Sequence, residues 1–119
     1  MELKRINTMN DLLKHIVESI SGIWGNRKYE LVLGLNNVFT FEEKKSGEIL
    51  DGYYLILQIP ENIHPTLRLT ELNGISHDYD IIDVIIFHSL IISYKGKRID
   101  LKHVTAEEHY GKVYDPANN

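Results

Sequence analysis

The first part of the chain carries hydrophobic residues at the spacing of one helical face. They recur three or four positions apart, at Met9, Leu12, Leu13, Ile16, Ile20 and Ile23. Thr8 and Asp11 resemble a capping box in which Asp replaces the usual Glu. The spacing predicts an N-terminal amphipathic helix that ends at Gly22 or Gly25 and packs across a sheet.

From Tyr29 onward the pattern alternates, which is typical of strands. Leu31 and Leu33 share one face of a first predicted strand, and Phe39 and Phe41 share one face of the next. A two-residue turn between these strands would put the two pairs on opposite faces. We therefore predict a three-residue loop over residues 35–37, which pairs Leu33 with Phe39 and gives an asparagine the left-handed position.

The next two predicted strands follow the same rule. The core face of the first is predicted to carry Tyr53, Leu55, Leu57 and Ile59. Tyr54 should then point away from the core. Leu67 and Leu69 alternate with polar residues and precede Asn73 and Gly74, a dipeptide that favours a tight turn.

The segment 81–92 is the most hydrophobic, and its many β-branched residues favour a strand that turns near His88. This turn places Asp83 on the core face. A second turn with Gly96 as its first central residue pairs Tyr94 with Ile99.

The C-terminal part begins with a second capping box, formed by Thr105 and Glu108, which predicts a short helix that ends near Gly111. No repeat or linker divides residues 1–119. The predicted fold is a single α+β domain: the N-terminal helix packs on a mostly antiparallel meander of about six or seven strands.

Composition excludes several chemistries. The chain of 119 residues has no cysteine, which rules out disulfides, a thiolate nucleophile and thiolate metal ligands. Its formal charge of −4 argues against nucleic-acid binding, although Lys95, Lys97, Arg98 and Lys102 are clustered. The absence of a long apolar segment predicts a protein of the cytoplasm that does not enter the membrane.

The six histidines suggest metal or acid-base chemistry, but their spacing matches no ligand motif. The best metal candidate is the cluster His103, Glu107, Glu108 and His109. His77 and Asp78 are a candidate acid-base pair. Both groups are explained more simply as surface or cap residues, and we therefore predict no catalytic residue, no metal and no cofactor. Trp24 is predicted to lie in the core.

Without a catalytic pattern, we predict a protein that binds another protein. Its function would be that of an inhibitor, either a toxin-immunity protein or a phage-encoded inhibitor of a host defence factor, and not that of an enzyme. Acidic residues in predicted loops and at a helix start would occlude a basic partner surface, with a tyrosine as anchor. These partner-binding residues are Asp78, Tyr79, Asp80, Glu107 and Glu108.

Two alternative functions follow from other features. A small enzyme or ligand-binding domain would use His77 and Asp78 or the His103 cluster. A homodimeric structural subunit would cover the hydrophobic segment 81–92 with a second copy of the chain.

Overall fold

The chain forms a closed antiparallel barrel. The computed structural model describes Ile16, residues 19–105 and residues 107–109. Eight strands follow one another in these residues: β1 (Gly22–Gly25), β2 (Tyr29–Leu33), β3 (Val38–Glu43), β4 (Glu48–Leu57), β5 (Thr66–Glu71), β6 (Ser76–Ile85), β7 (Ser89–Tyr94) and β8 (Lys97–Val104). Each strand pairs with the next, and β8 pairs with β1, which closes the sheet.

The predicted α+β fold with an N-terminal helix on an open sheet is therefore wrong. Alternation shows only that each strand buries one face. A sheet covered by a helix gives this pattern, and so does a barrel that encloses its own core. Of the predicted helical stripe, Ile16 and Ile20 are helical and buried, whereas Ile23 lies in β1. Positions 9, 12 and 13 lie outside the described residues.

Closure depends on a stagger between neighbouring strands. The first half of β4 pairs with β3, from Glu48 to Tyr53, and its second half pairs with β5, from Gly52 to Leu57. Strand β6 divides in the same way between β5 and β7. Such a shift in register tilts the strands, and a sheet of this size can then close on itself.

Side chains fill the interior. The largest ones that are fully buried are Trp24, Phe39, Ile20, Leu31, Leu33, Leu67, Leu69, Leu90, Ile92 and Leu101. Trp24 donates its indole N–H to the carbonyl oxygen of Ile20 at 2.7 Å, which confirms its predicted place in the core. Eight strands enclose a space that such side chains just fill.

The predicted register between β2 and β3 is confirmed. Leu33 pairs with Phe39 and Leu31 with Phe41, and all four side chains point into the barrel. Asn37 takes the left-handed position with a φ of 67°. Asparagine tolerates this conformation better than most residues with a side chain.

The predicted inner face of β4 is wrong. Tyr54 is buried and donates its hydroxyl to the Gly34 carbonyl at 2.7 Å, whereas Tyr53 and Leu55 point outward. Apolar residues occupy both faces of this strand, so alternation alone gives no choice between them. Gly52 lies on the inner face beside β5, and a Cβ there would lie 2.0 Å from the Thr70 oxygen, so this position favours glycine.

The turns on either side of β7 also differ from the prediction. Lys95 and Gly96 both have positive φ, so Gly96 is the second central residue and Tyr94 pairs with Lys97 rather than Ile99. The slip is two residues, which leaves each side chain on its predicted face. Before β7, a loop over residues 86–88 and a bulge after Ile81 turn Asp83 outward, so its predicted core position is wrong.

The C-terminal capping box is confirmed. The Glu108 N–H donates to the Thr105 hydroxyl at 3.0 Å, and the Thr105 N–H donates to the Glu108 carboxylate at 2.9 Å. The helical residues described beyond it are 107–109. No helix in the described part of the chain is long and apolar enough to cross a membrane.

Candidate binding site at the mouth of the barrel

One end of the barrel, called the mouth here, carries a row of aromatic rings with charged residues around it. It is formed where β1 meets β2, β3 meets β4, β5 meets β6 and β7 meets β8. The connecting segments there are residues 26–28, 44–47, 72–75 and 95–96. Ile20, which is buried, precedes β1 at the opposite end of the barrel.

A row of four aromatic rings crosses the mouth. The centroid of Tyr29 lies 5.4 Å from that of Phe41, Phe41 lies 6.0 Å from Tyr79, and Tyr79 lies 4.8 Å from Tyr94. Each ring occupies an inward position of its strand, because it alternates in phase with buried core residues. Pairing of β2, β3, β6 and β7 thus gathers residues that are far apart in the sequence.

Tyr79 is the most buried member of this aromatic row, with 7% of its surface exposed. Burial, followed by the charges of Tyr94 and Tyr29, raises the pKa of Tyr79 to about 12. No group in the described residues makes a hydrogen bond with its hydroxyl. The hydroxyl has no protein partner in the described residues, so it is available to a ligand.

A cavity of about 200 Å³, called the aromatic pocket here, lies beside Tyr79. It is lined by Tyr29, Phe41, Glu43, Glu48, Leu50 and Tyr79. The two carboxylates are ladder partners across the β3–β4 hairpin. Ser46 donates to Glu43 at 2.7 Å, and neither carboxylate has a salt bridge within the described residues. The pocket therefore combines aromatic walls with negative charge at its rim.

A hydrogen-bonded pair, His77 and Glu71, lies on the other side of Tyr94. The His77 Nε2 and the Glu71 Oε2 are 2.6 Å apart, and the two rings of His77 and Tyr94 have centroids 6.4 Å apart. Both side chains face inward and are about three-quarters buried or more. The sequence contained one signal for this pair, since the two residues flank the predicted Asn73–Gly74 turn.

Next to the aromatic pocket lies a larger depression of about 570 Å³, called the basic groove here. It is lined by Asn26, Arg27, Lys28, Tyr29, Lys97, Arg98, Ile99 and Asp100. Arg98 and Asp100 form a salt bridge at 2.7 Å. Within the described residues, Arg27, Lys28 and Lys97 have no such partner. Tyr29 separates the basic groove from the aromatic pocket.

The predicted partner-binding residues lie on two separate elements. Asp78, Tyr79 and Asp80 lie in β6 and not in a loop. Tyr79 points into the barrel, while Asp78 points outward and bonds Arg68 at 2.8 and 2.9 Å, which lowers the pKa of Asp78. Glu107 and Glu108 are exposed in the C-terminal helical turn, on a separate element.

The two candidate histidine clusters do not assemble in the described residues. His77 bonds Glu71 rather than Asp78, whose side chain lies on the opposite face of β6. His103 packs edge-on against the rings of Trp24 and Phe87, and His109 bonds Glu30 at 3.1 Å. In the described part of the chain, no group of three His, Asp or Glu side chains converges on a metal position.

No protein-family model, curated protein or solved structure matches this chain.

Proposed function

We propose that the protein binds a small organic cation in the aromatic pocket. The observation that carries the proposal is Tyr79, whose hydroxyl has no protein partner in the described residues and which lines a cavity walled by Tyr29 and Phe41. A ligand with a polar group beside its charge could form a hydrogen bond with this hydroxyl.

The walls favour a positive charge. Aromatic rings attract a cation to within about 6 Å of their centroids, with energies of roughly 0.5 to 2 kcal/mol that increase as the cation is desolvated. Glu43 and Glu48 add negative charge at the rim. The nearby Lys44 ammonium is directed elsewhere, to the carbonyl oxygen of Asn26 at 2.7 Å.

The size of the pocket limits the ligand. Its volume of about 200 Å³ lies below the roughly 300 to 1,000 Å³ of clefts that hold drug-sized molecules. The barrel interior beneath it is filled by core side chains. The pocket therefore suits a quaternary ammonium head group or a guanidinium better than a whole lipid or nucleotide.

A titration with choline tests the proposal. Choline and its neutral analogue, in which carbon replaces the ammonium nitrogen, have nearly the same shape, and we expect choline to bind about tenfold more tightly, a difference near 1.4 kcal/mol. Amide resonances of β3, β4 and β6 should shift. Glu48→Gln should weaken choline binding, whereas Asp51→Asn, on the outer face of the same strand, should not. Equal binding of the neutral analogue would contradict the proposal.

Protein binding is the second candidate, and one observation favours it. The outer face of the β3–β4 hairpin carries an exposed apolar strip, formed by Val38, Ile49, Tyr53 and Leu55. Val38 and Tyr53 are ladder partners, and Asp51 interrupts the strip with an acid. An apolar patch with an acidic member suits a protein partner with a basic surface, as the predicted toxin-immunity or phage inhibitor would require.

The second candidate has its own test. A tagged protein and its Tyr53→Ser, Leu55→Ser variant would be used to capture proteins from the native host, where we place the protein in the cytoplasm. A basic protein retained by the wild type and lost by the folded variant supports binding of a protein partner at this strip, which the inhibitor function requires. A partner held equally by both would place the interface elsewhere.

A further inference from the structure

The basic groove is bordered by a strand edge that is only partly used in closing the barrel. Strand β8 pairs with β1 through three residues, Lys102, His103 and Val104. Its first half, from Lys97 to Leu101, pairs with β7 on one side. On the other side this first half has no strand partner within the described residues.

The unpaired edge presents backbone groups to the groove. The Asn26 side chain donates to the carbonyl oxygen of Asp100 at 2.9 Å, which shows that the backbone of Asp100 faces this side. Backbone direction alternates along an antiparallel strand, so the N–H and C=O of Arg98 face the same way. The Asp100 carbonyl oxygen already accepts a hydrogen bond from Asn26, so the N–H and C=O of Arg98 are the groups to which an extended chain can add as a strand.

The charge of the groove selects an acidic partner. Arg27 and Lys28 stand on one wall and Lys97 on the other, without salt bridges in the described residues. The only acid in the lining, Asp100, is neutralised by Arg98, which lowers the pKa of Asp100. Tyr29 and Ile99 add apolar surface to the lining.

We infer that the basic groove binds an acidic, extended segment of a partner protein, which adds as a strand to the Lys97–Asp100 edge of β8. The groove volume of about 570 Å³ falls within the range of roughly 300 to 1,000 Å³ for binding clefts. A peptide matches this site better than a nucleic acid does. Only a peptide uses the backbone edge, and Glu43 and Glu48 beyond Tyr29 repel a longer polyanion.

A fluorescent peptide of alternating Glu and Val tests the charge and the strand pairing separately. We expect saturable binding by anisotropy that weakens with salt, because screening reduces attraction between exposed charges. Lys97→Glu should weaken binding about tenfold or more, whereas Lys45→Glu, in the exposed β3–β4 turn, should have little effect. A loss of equal size in both variants would overturn the placement in the groove.

N-methylation of alternate backbone amides distinguishes strand addition from charge attraction alone. A peptide methylated along one edge should lose binding, and a peptide methylated along the opposite edge should keep it, because only one edge pairs with β8. The amide resonance of Arg98 should shift on binding. Equal binding of both methylated peptides, or equal binding of oligothymidylate and the unmodified peptide, would overturn the inference, as would failure of the unmodified peptide to bind.

Discussion

The rings of Tyr79 and Tyr94 pack against each other with centroids 4.8 Å apart and an interplanar angle of 35°. The contact places two phenols from neighbouring strands side by side at the mouth. Burial and the neighbouring phenols raise the pKa of Tyr79 to about 12. At neutral pH the hydroxyl of Tyr79 carries its proton, so it can donate a hydrogen bond to a ligand and can also accept a hydrogen bond from it.

The raised pKa of Tyr79 predicts a loss of stability in alkali. Above pH 10 a tyrosine in the unfolded chain loses its proton while Tyr79 in the folded protein keeps it, so rising pH favours unfolding. This contribution is fully present below pH 10 and is lost as the pH rises through about 12. A shift of this size corresponds to roughly 2 to 3 kcal/mol.

Denaturant unfolding between neutral and high pH measures this effect. The Tyr79→Phe variant should lose less stability than the wild type over the alkaline range, because the group with the raised pKa is gone. Tyr53→Phe removes an exposed phenol and should follow the wild-type curve. Identical pH dependence of the Tyr79→Phe variant and the wild type would show that Tyr79 titrates normally.

At neutral pH the same Tyr79→Phe substitution should separate stability from binding. It removes a hydroxyl that has no protein partner in the described residues, so the free energy of unfolding should change by no more than about 1 kcal/mol. Choline binding should weaken, since the ligand loses a hydrogen-bond partner. A clear loss of stability would indicate that the hydroxyl is satisfied within the fold, and would remove the main support for the proposed function.

The sequence predicted local pairing better than overall closure. The β2–β3 register followed from a short-range choice, because only one loop length put Leu33 and Phe39 on the same face. The Thr105–Glu108 box was equally local. Closure depends instead on the stagger of β8 against β1, which joins Lys102 to Gly25 across most of the chain. No local pattern encodes that contact.

The candidate site could not be predicted from the sequence either, because it also depends on contacts between residues that are far apart in the chain. Tyr79 was predicted to be an exposed anchor because acids surround it, but Asp78 and Asp80 face outward from a strand whose inner face carries Tyr79. The aromatic row appears only when β3 and β6 are placed across the barrel from each other. The tyrosines carried no spacing that would identify them in advance.

The crowded position of Gly52 predicts a large effect of a single methyl group. A Cβ on Gly52 would lie 2.0 Å from the backbone oxygen of Thr70, so Gly52→Ala must displace β5. Overpacking of a core usually costs about 1 to 3 kcal/mol, and a collision with backbone should reach or exceed the top of that range. Thermal or denaturant unfolding gives the cost.

Gly47→Ala provides the matched control for Gly52→Ala. Gly47 has a φ of 76° and open space around it, so alanine there suffers only the left-handed strain of roughly 1 to 2 kcal/mol. A smaller loss of stability for Gly52→Ala than for Gly47→Ala would show that the backbones of β4 and β5 do not approach each other at Gly52 and Thr70 as closely as the structure places them.

The end of the barrel opposite the mouth depends on Ile20, and Trp24 reports on it. Ile20 is fully buried, so Ile20→Ala should lower the free energy of unfolding by about 2 to 5 kcal/mol. The bond from the Trp24 indole goes to the backbone oxygen of Ile20, so the substitution keeps it and removes only apolar packing. Trp24 is the one tryptophan of the chain, and its fluorescence follows unfolding without a label.

Ile63→Ala, at a loop position that is 91% exposed, should change stability by no more than about 0.5 kcal/mol. If Ile20→Ala is as mild as Ile63→Ala, the residues before β1 do not close this end of the core, and the barrel must be stable through its strands alone.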